Sequence, residues 1–299
     1  MTRPAFSALD SRPSTLDYTA SDGDRLRFRR WVPAGPRVRG FVVALHGIQS
    51  HSGWYGYSSG RLAEAGWRVD FLDRRGSGMN DAGRGHAGHA ERLLNDVVQF
   101  LAGIRHERDR VDPDLPVVLL AVSWGGKLAA SVAARRPELL DALAILYPGL
   151  CPRLGPTWYQ SLGLHLARRL GGERRRVRVP LDDPALFTSQ PEWQEFIRDD
   201  PLALREVTVG FLNASRDLDR IVAGAPERID CPVLMMLAGR DEIIDNEGTR
   251  RWFARVAAAD KRLLEYGDAR HTLEFEPNRA AIVDDLLAWL DGISRRGCG

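Results

Sequence analysis

Hydrophobic positions along the chain fall into two rhythms. Short continuous apolar runs bounded by turn formers alternate with stretches where apolar residues recur every three or four positions. The first rhythm suits strands buried on both faces, the second amphipathic helices. Residues 1–14 carry scattered Pro and Ser without periodicity and read as a loose arm. Residues 15–20 and 25–32 flank Ser21-Asp22-Gly23-Asp24, which predicts a hairpin. Gly40–Leu45 predicts a buried strand ending at His46-Gly47. A helix around 61–65, a strand at Trp67–Leu72, a glycine-rich loop over 74–88 and a helix over 89–104 follow. Then come a strand at 115–122, a helix at 124–136 and a strand at 140–147.

The rhythm breaks at residue 148. Up to residue 230 there are prolines and helical pieces but no buried-strand signal. It resumes with a strand at 232–238, a helix at 247–259, a strand at 262–266 and a closing amphipathic helix at 279–293. Alternating strands and helices imply an α/β domain with a mostly parallel sheet of roughly eight strands, flanked by helices on both faces. The segment 148–230 is inserted after the sixth strand. Residues 1–147 and 231–299 are then the two parts of the core.

Composition narrows the function classes. The 299 residues are 44% hydrophobic and 27% charged, an ordinary globular balance, and the net charge of +2 gives no case for a nucleic-acid partner. Cys151, Cys231 and Cys298 lie far apart, which argues against a disulfide framework or a zinc site. The first 24 residues hold no apolar core suited to a signal peptide, and no run of about 18 apolar residues suggests a membrane span. A cytoplasmic location is expected, with oligomeric state left open.

The chemistry centres on Ala121-Val122-Ser123-Trp124-Gly125. A serine between a buried strand and a helix, with small residues two before and two after, marks a nucleophile elbow. Ala121 stands where the pattern has its first glycine. A serine hydroxyl needs a base to take its proton, and the base needs an acid to fix its tautomer. Asp241 lies just past the 232–238 strand and His271 just past the 262–266 strand. Loops past the carboxyl ends of parallel strands share one rim, so the order Ser, Asp, His predicts a triad. Glu242 and Asp245 are rival acids, but Asp241 comes first after its strand. His86, His89, His106 and His165 have poorer placements. An oxyanion hole is expected from the backbone N–H of Trp124 and that of Ile48, in the loop after the third strand.

The segment His46-Gly47-Ile48-Gln49-Ser50-His51-Ser52-Gly53-Trp54-Tyr55 resembles the His-Gly-x-x-x-His-Ser-x-x-Tyr motif of monoacylglycerol lipase-like serine hydrolases. Asp73-Arg74-Arg75-Gly76-Ser77-Gly78 is similar to their Asp-x-Arg-Gly-x-Gly loop, and the segments around Asp241 and His271 resemble their acid and histidine segments. The resemblance implies an α/β-hydrolase fold, a helical cap over 148–230 and hydrolysis of carboxylic esters of glycerol or similar alcohols. Lysophospholipases and serine aminopeptidase-type enzymes belong to the same broad group. No cofactor or metal is implied.

The cap carries Leu150, Leu154, Trp158, Tyr159, Leu162, Leu166, Phe187, Trp193, Phe196, Phe211 and Leu212, suited to lining an acyl tunnel or to gluing cap to core. Arg168, Arg169, Arg174, Arg175, Arg176 and Arg178 read as a solvated face, with attraction to anionic lipid as the alternative. The expected partner is a small-molecule ester, with a lipid surface as its setting in that alternative. Amide hydrolysis or acyl transfer by the same triad, and a non-catalytic binding protein on this fold, are the competing readings.

Overall fold

Three chain segments, 13–35, 37–153 and 172–296, are described by a computed structural model. The predicted alternation is realised in them as β1 (Ser14–Thr19), β2 (Arg25–Trp31), β3 (Gly40–Leu45), α1 (Gly56–Glu64), β4 (Trp67–Leu72), α2 (Ala90–Val111), β5 (Val117–Val122), α3 (Gly125–Arg135) and β6 (Ala142–Leu146). The inserted segment contributes β7 (Arg176–Arg178), α4 (Pro191–Asp199), β8 (Glu206–Thr208) and α5 (Val209–Ala223). The chain closes with β9 (Val233–Ala238), α6 (Asn246–Ala254), β10 (Lys261–Tyr266) and α7 (Arg279–Arg296).

Eight strands form one sheet in the order β1-β2-β4-β3-β5-β6-β9-β10. β2 runs antiparallel to both its neighbours, and every other pairing is parallel. The central strands β3, β5 and β9 are buried at every position, as continuous Val/Leu-rich runs require when both faces are covered. α1 and α7 pack together on one face, where Phe71, Leu120 and Val122 meet Ile282 and Leu286. α2 and α3 pack on the other, where Leu45 and Leu72 meet Leu93, Val97 and Leu128. No helix among the described residues is long and apolar enough to cross a membrane.

Several boundaries differ from the sequence reading. α1 starts at Gly56, directly after a 3-10 turn, Ser52–Tyr55, whose entry the His51 side chain caps by accepting the Gly53 N–H. α2 continues to Val111 because its charged end, rich in Arg, sustains a helix without an apolar stripe. α6 stops at Ala254, after which Val256 and Ala258 turn inward and are buried. Ser14, read as part of a loose arm, pairs with Arg30. The inserted segment also holds a short antiparallel ribbon of β7 and β8, which its exposed arginines hide from a search for apolar runs. Arg174, Arg175, Arg176 and Arg178 are exposed there. Leu154, Trp158, Tyr159, Leu162, His165, Leu166, Arg168 and Arg169 lie outside the described residues.

Candidate active site

The site forms where β3, β5, β9 and β10 end. Ser123 follows β5 at φ +50°, a backbone conformation that L residues rarely adopt. Its N–H donates to the Leu146 carbonyl at 3.1 Å, and its own carbonyl accepts from Gly126 and Gly149 N–H at 2.9 and 2.6 Å. The small residue two positions on is a steric necessity: a Cβ on Gly125 would sit 2.7 Å from the His46 carbonyl oxygen and 2.8 Å from that of Leu45. Ala121 is fully buried inside β5 and pairs with Leu45, so a methyl is accommodated where the elbow pattern has glycine.

Three side chains predicted from distant segments meet here. His271 Nε2 lies 2.8 Å from Ser123 Oγ, and His271 Nδ1 lies 2.7 Å from Asp241 Oδ2. A carboxylate only accepts, so Nδ1 carries the proton, and the Nε2 lone pair faces the serine hydroxyl. The other carboxylate oxygen, Oδ1, accepts the N–H groups of Ile243 and Ile244 at 2.8 and 2.9 Å. The imidazole and the carboxylate are buried, while Ser123 keeps partial exposure. The rival acids sit elsewhere: Glu242 pairs with Arg270 at 2.6 Å, and Asp245 caps α6 by accepting the Glu247 N–H. The rings of Tyr147 and Phe187 stand edge-on to that of His271, with centroids 4.9 and 5.9 Å away.

The pairing of β3 with β5 brings the loop after β3 against the elbow. Among the described residues, neither the Ile48 N–H nor the Trp124 N–H has an acceptor. The peptide between Gly47 and Ile48 is held from behind. His46 Nδ1 donates to the Gly47 carbonyl at 2.8 Å, and His46 Nε2 accepts the Arg74 N–H at 2.9 Å. Burial pushes the pKa of His46 down to about 3, helped by the nearby Arg74 charge, so it stays neutral in this brace. Gly47 N–H donates to Ser50 Oγ at 3.0 Å, and that oxygen also accepts the Tyr55 hydroxyl at 3.0 Å.

Contacts between the inserted segment and the core surround this loop. His51 Nε2 and Trp54 Nε1 both donate to Asp200 Oδ2, at 2.9 and 2.6 Å. The Leu204 N–H donates to the Gln49 carbonyl, and Gln49 Nε2 donates to that of Leu181. Trp193 and Phe196 pack on Phe275. On the elbow side, Trp124 Nε1 donates to Ser215 Oγ of α5 at 2.9 Å, and Lys127 Nζ pairs with Asp219 at 2.5 Å. His86, one of the poorly placed histidines, meets Thr208 Oγ1 at 2.9 Å through Nδ1. Sequence reasoning singled out His51 and Trp54 only within a motif. Arg74 too was singled out only within a motif, while Asp200 and Ser215, whose partners are far away along the chain, were missed.

Asp73 and Arg75 of the motif after β4 have structural duties. Asp73, fully buried, accepts the N–H groups of Ser52 and Met79, and Arg75 pairs with Asp96 at 2.7 Å.

Comparison with known proteins agrees with this geometry. Residues 36–278 match the family described as serine aminopeptidase, S33. A monoacylglycerol lipase of Mycolicibacterium smegmatis is 26% identical over 283 residues, covering 94% of this chain and 98% of the relative. A monoglyceride lipase of Mus musculus is 25% identical, covering 99% of each. Among solved structures, a soluble variant of the Saccharomyces cerevisiae monoglyceride lipase, in complex with a substrate analog, superposes with a TM-score of 0.84 at 20% identity, covering 97% and 99%. With an elbow serine after the fifth strand of a mostly parallel sheet and a family match across most of its length, this chain belongs to the serine aminopeptidase S33 family of α/β-hydrolases.

Proposed function

We propose that the protein is a carboxylic-ester hydrolase for acyl esters of glycerol or similar alcohols, of monoacylglycerol or lysophospholipid type. The observation that carries this is the unbroken chain Ser123–His271–Asp241, with contacts of 2.8 and 2.7 Å. Ser123 Oγ attacks the ester carbonyl as His271 Nε2 takes its proton. The oxyanion forms against the Ile48 and Trp124 amides. The imidazolium, steadied by the Asp241 carboxylate, returns a proton to the departing alcohol. Water, activated by the same histidine, then releases the acid from the acyl-enzyme.

Residues 148–230 act in this reading as a cap over the site, supported by the Asp200, Ser215 and Gln49 contacts with the core. The ester preference is supported by the lipase names of the two relatives given above. The reading includes a cytoplasmic place of action, testable by fractionating cells. A panel of monoacylglycerols of graded chain length beside matched amides tests the substrate class. Ester turnover should exceed amide turnover and be lost in Ser123→Ala. Faster amide cleavage would move the protein to the peptidase side of its family.

A further inference from the structure

Arg74 stands at the position that the Asp-x-Arg-Gly-x-Gly pattern leaves open, directly after the buried Asp73. The residue is 5% exposed, and Nη2 donates to the Ile48 carbonyl at 2.9 Å. The guanidinium carbon lies 4.9 Å from the centroid of the Trp124 ring and 4.9 Å from that of Phe211 on α5. Among the described residues, its Nε and Nη1 are buried without a hydrogen-bond partner. A buried cation with open donors weakens a fold unless something offsets the desolvation, and stacking on two aromatic rings offsets only part of it. Stability alone therefore does not account for an arginine here.

Its contacts do. Besides Phe211, this one guanidinium grips the two residues that offer unpartnered amides to the oxyanion, Ile48 and Trp124. Main chain and side chain share the task. The Arg74 N–H holds His46, which holds the Gly47 carbonyl, the far end of the peptide that carries the Ile48 N–H. The side chain holds the carbonyl of the next peptide. On the other side it presses on the indole of Trp124, whose Nε1 is tied to Ser215. We propose that Arg74 is a positioning residue that sets the two oxyanion donors at a fixed spacing and links them to cap helix α5 through Phe211. This rests on the ester-hydrolase reading above.

The test compares wild type, Arg74→Lys and Arg74→Met with a p-nitrophenyl ester and a transition-state-mimicking alkyl trifluoromethyl ketone. A donor displaced by a fraction of an ångström costs roughly tenfold to a hundredfold in rate. The expected order in kcat is wild type, then Lys, then Met, with the Met variant down by that factor and KM within about threefold of wild type. Affinity for the ketone should fall in step with kcat/KM, while the melting temperature of Arg74→Met stays level or rises. A Met variant with kcat within about twofold of wild type, or one that changes KM alone, overturns the assignment. If the Met variant does not fold, the Lys variant is judged by the same kcat, KM and ketone criteria, since it keeps the charge but not the planar fork. Wild-type protein that cleaves no ester and binds no ketone would instead count against the ester-hydrolase reading.

Discussion

The Asp241 carboxylate is shared between His271 and the backbone. Oδ2 takes the His271 Nδ1–H at 2.7 Å, while Oδ1 takes the N–H groups of Ile243 and Ile244. In Asp241→Asn the amide oxygen must stay on the backbone side, where two donors wait. The amide nitrogen then faces Nδ1, which has to become an acceptor. The imidazole proton moves to Nε2 and points at Ser123, so the base is blocked. Loss of kcat on the order of ten-thousandfold is expected, with little change in KM. Steady-state kinetics on a soluble ester checks this, and a loss below about tenfold would show that the histidine tautomer does not matter.

Gly125 and Ala121 flank the elbow serine, yet they should respond oppositely to a change of one methyl. Gly125→Ala drives a Cβ into two backbone carbonyls, at 2.7 and 2.8 Å, that cannot swing aside. A cost of roughly 1–3 kcal/mol in urea unfolding is expected, with a fall in kcat of about a hundredfold as the elbow shifts. Ala121→Gly adds no such clash, and its activity should remain near that of wild type.

Most of the fold was legible because the central strands β3, β5, β6 and β9 are continuous apolar runs and most helices carry recurring apolar positions. The meeting of Ser123, Asp241 and His271 was legible because each lies just past a strand, where a parallel sheet leaves little choice of direction. The ribbon of β7 and β8 was hidden since Arg176 and Arg178 carry no apolar signal. Arg74 and Asp200 were hidden for another reason. The role of Asp200 arises only when the inserted segment docks and brings His51 to it, while that of Arg74 arises when the loop after β3, the elbow and Phe211 of the inserted segment converge on one side chain.

Asp200 ties the inserted segment to the loop after β3 through His51 and Trp54, and accepts the Leu202 N–H at 2.9 Å. Burial alone would raise its pKa, but the His51 hydrogen bond and charge pull it below the usual carboxylate value. Asp200→Ala removes all of these bonds and leaves buried donors open. A loss of roughly 2 kcal/mol or more is expected, along with faster proteolysis within 172–230. Limited proteolysis followed by mass spectrometry checks this, and cleavage unchanged from wild type would mean the contact is not a latch.

Glu274 lies near the base of the site, with Oε1 accepting the Ser58 N–H at 3.1 Å beside Tyr55 and Tyr147. Burial raises its pKa from 4.5 to about 7 in the folded protein. The folded state therefore holds the proton more tightly than the unfolded chain. Its contribution is fully present below pH 4.5 and is lost as pH rises through about 7. Between those limits wild type should lose on the order of 3 kcal/mol relative to Glu274→Gln, whose side chain does not ionise. Urea midpoints at a series of pH values give the comparison. Parallel curves for the two proteins would place the proton elsewhere.

The most direct test of the account is to treat the protein with a fluorophosphonate and locate the adduct by peptide mass spectrometry. The account predicts a single phosphonylated residue, Ser123, with labelling and ester turnover both abolished in Ser123→Ala. An adduct on another residue, or undiminished turnover in that variant, would contradict it.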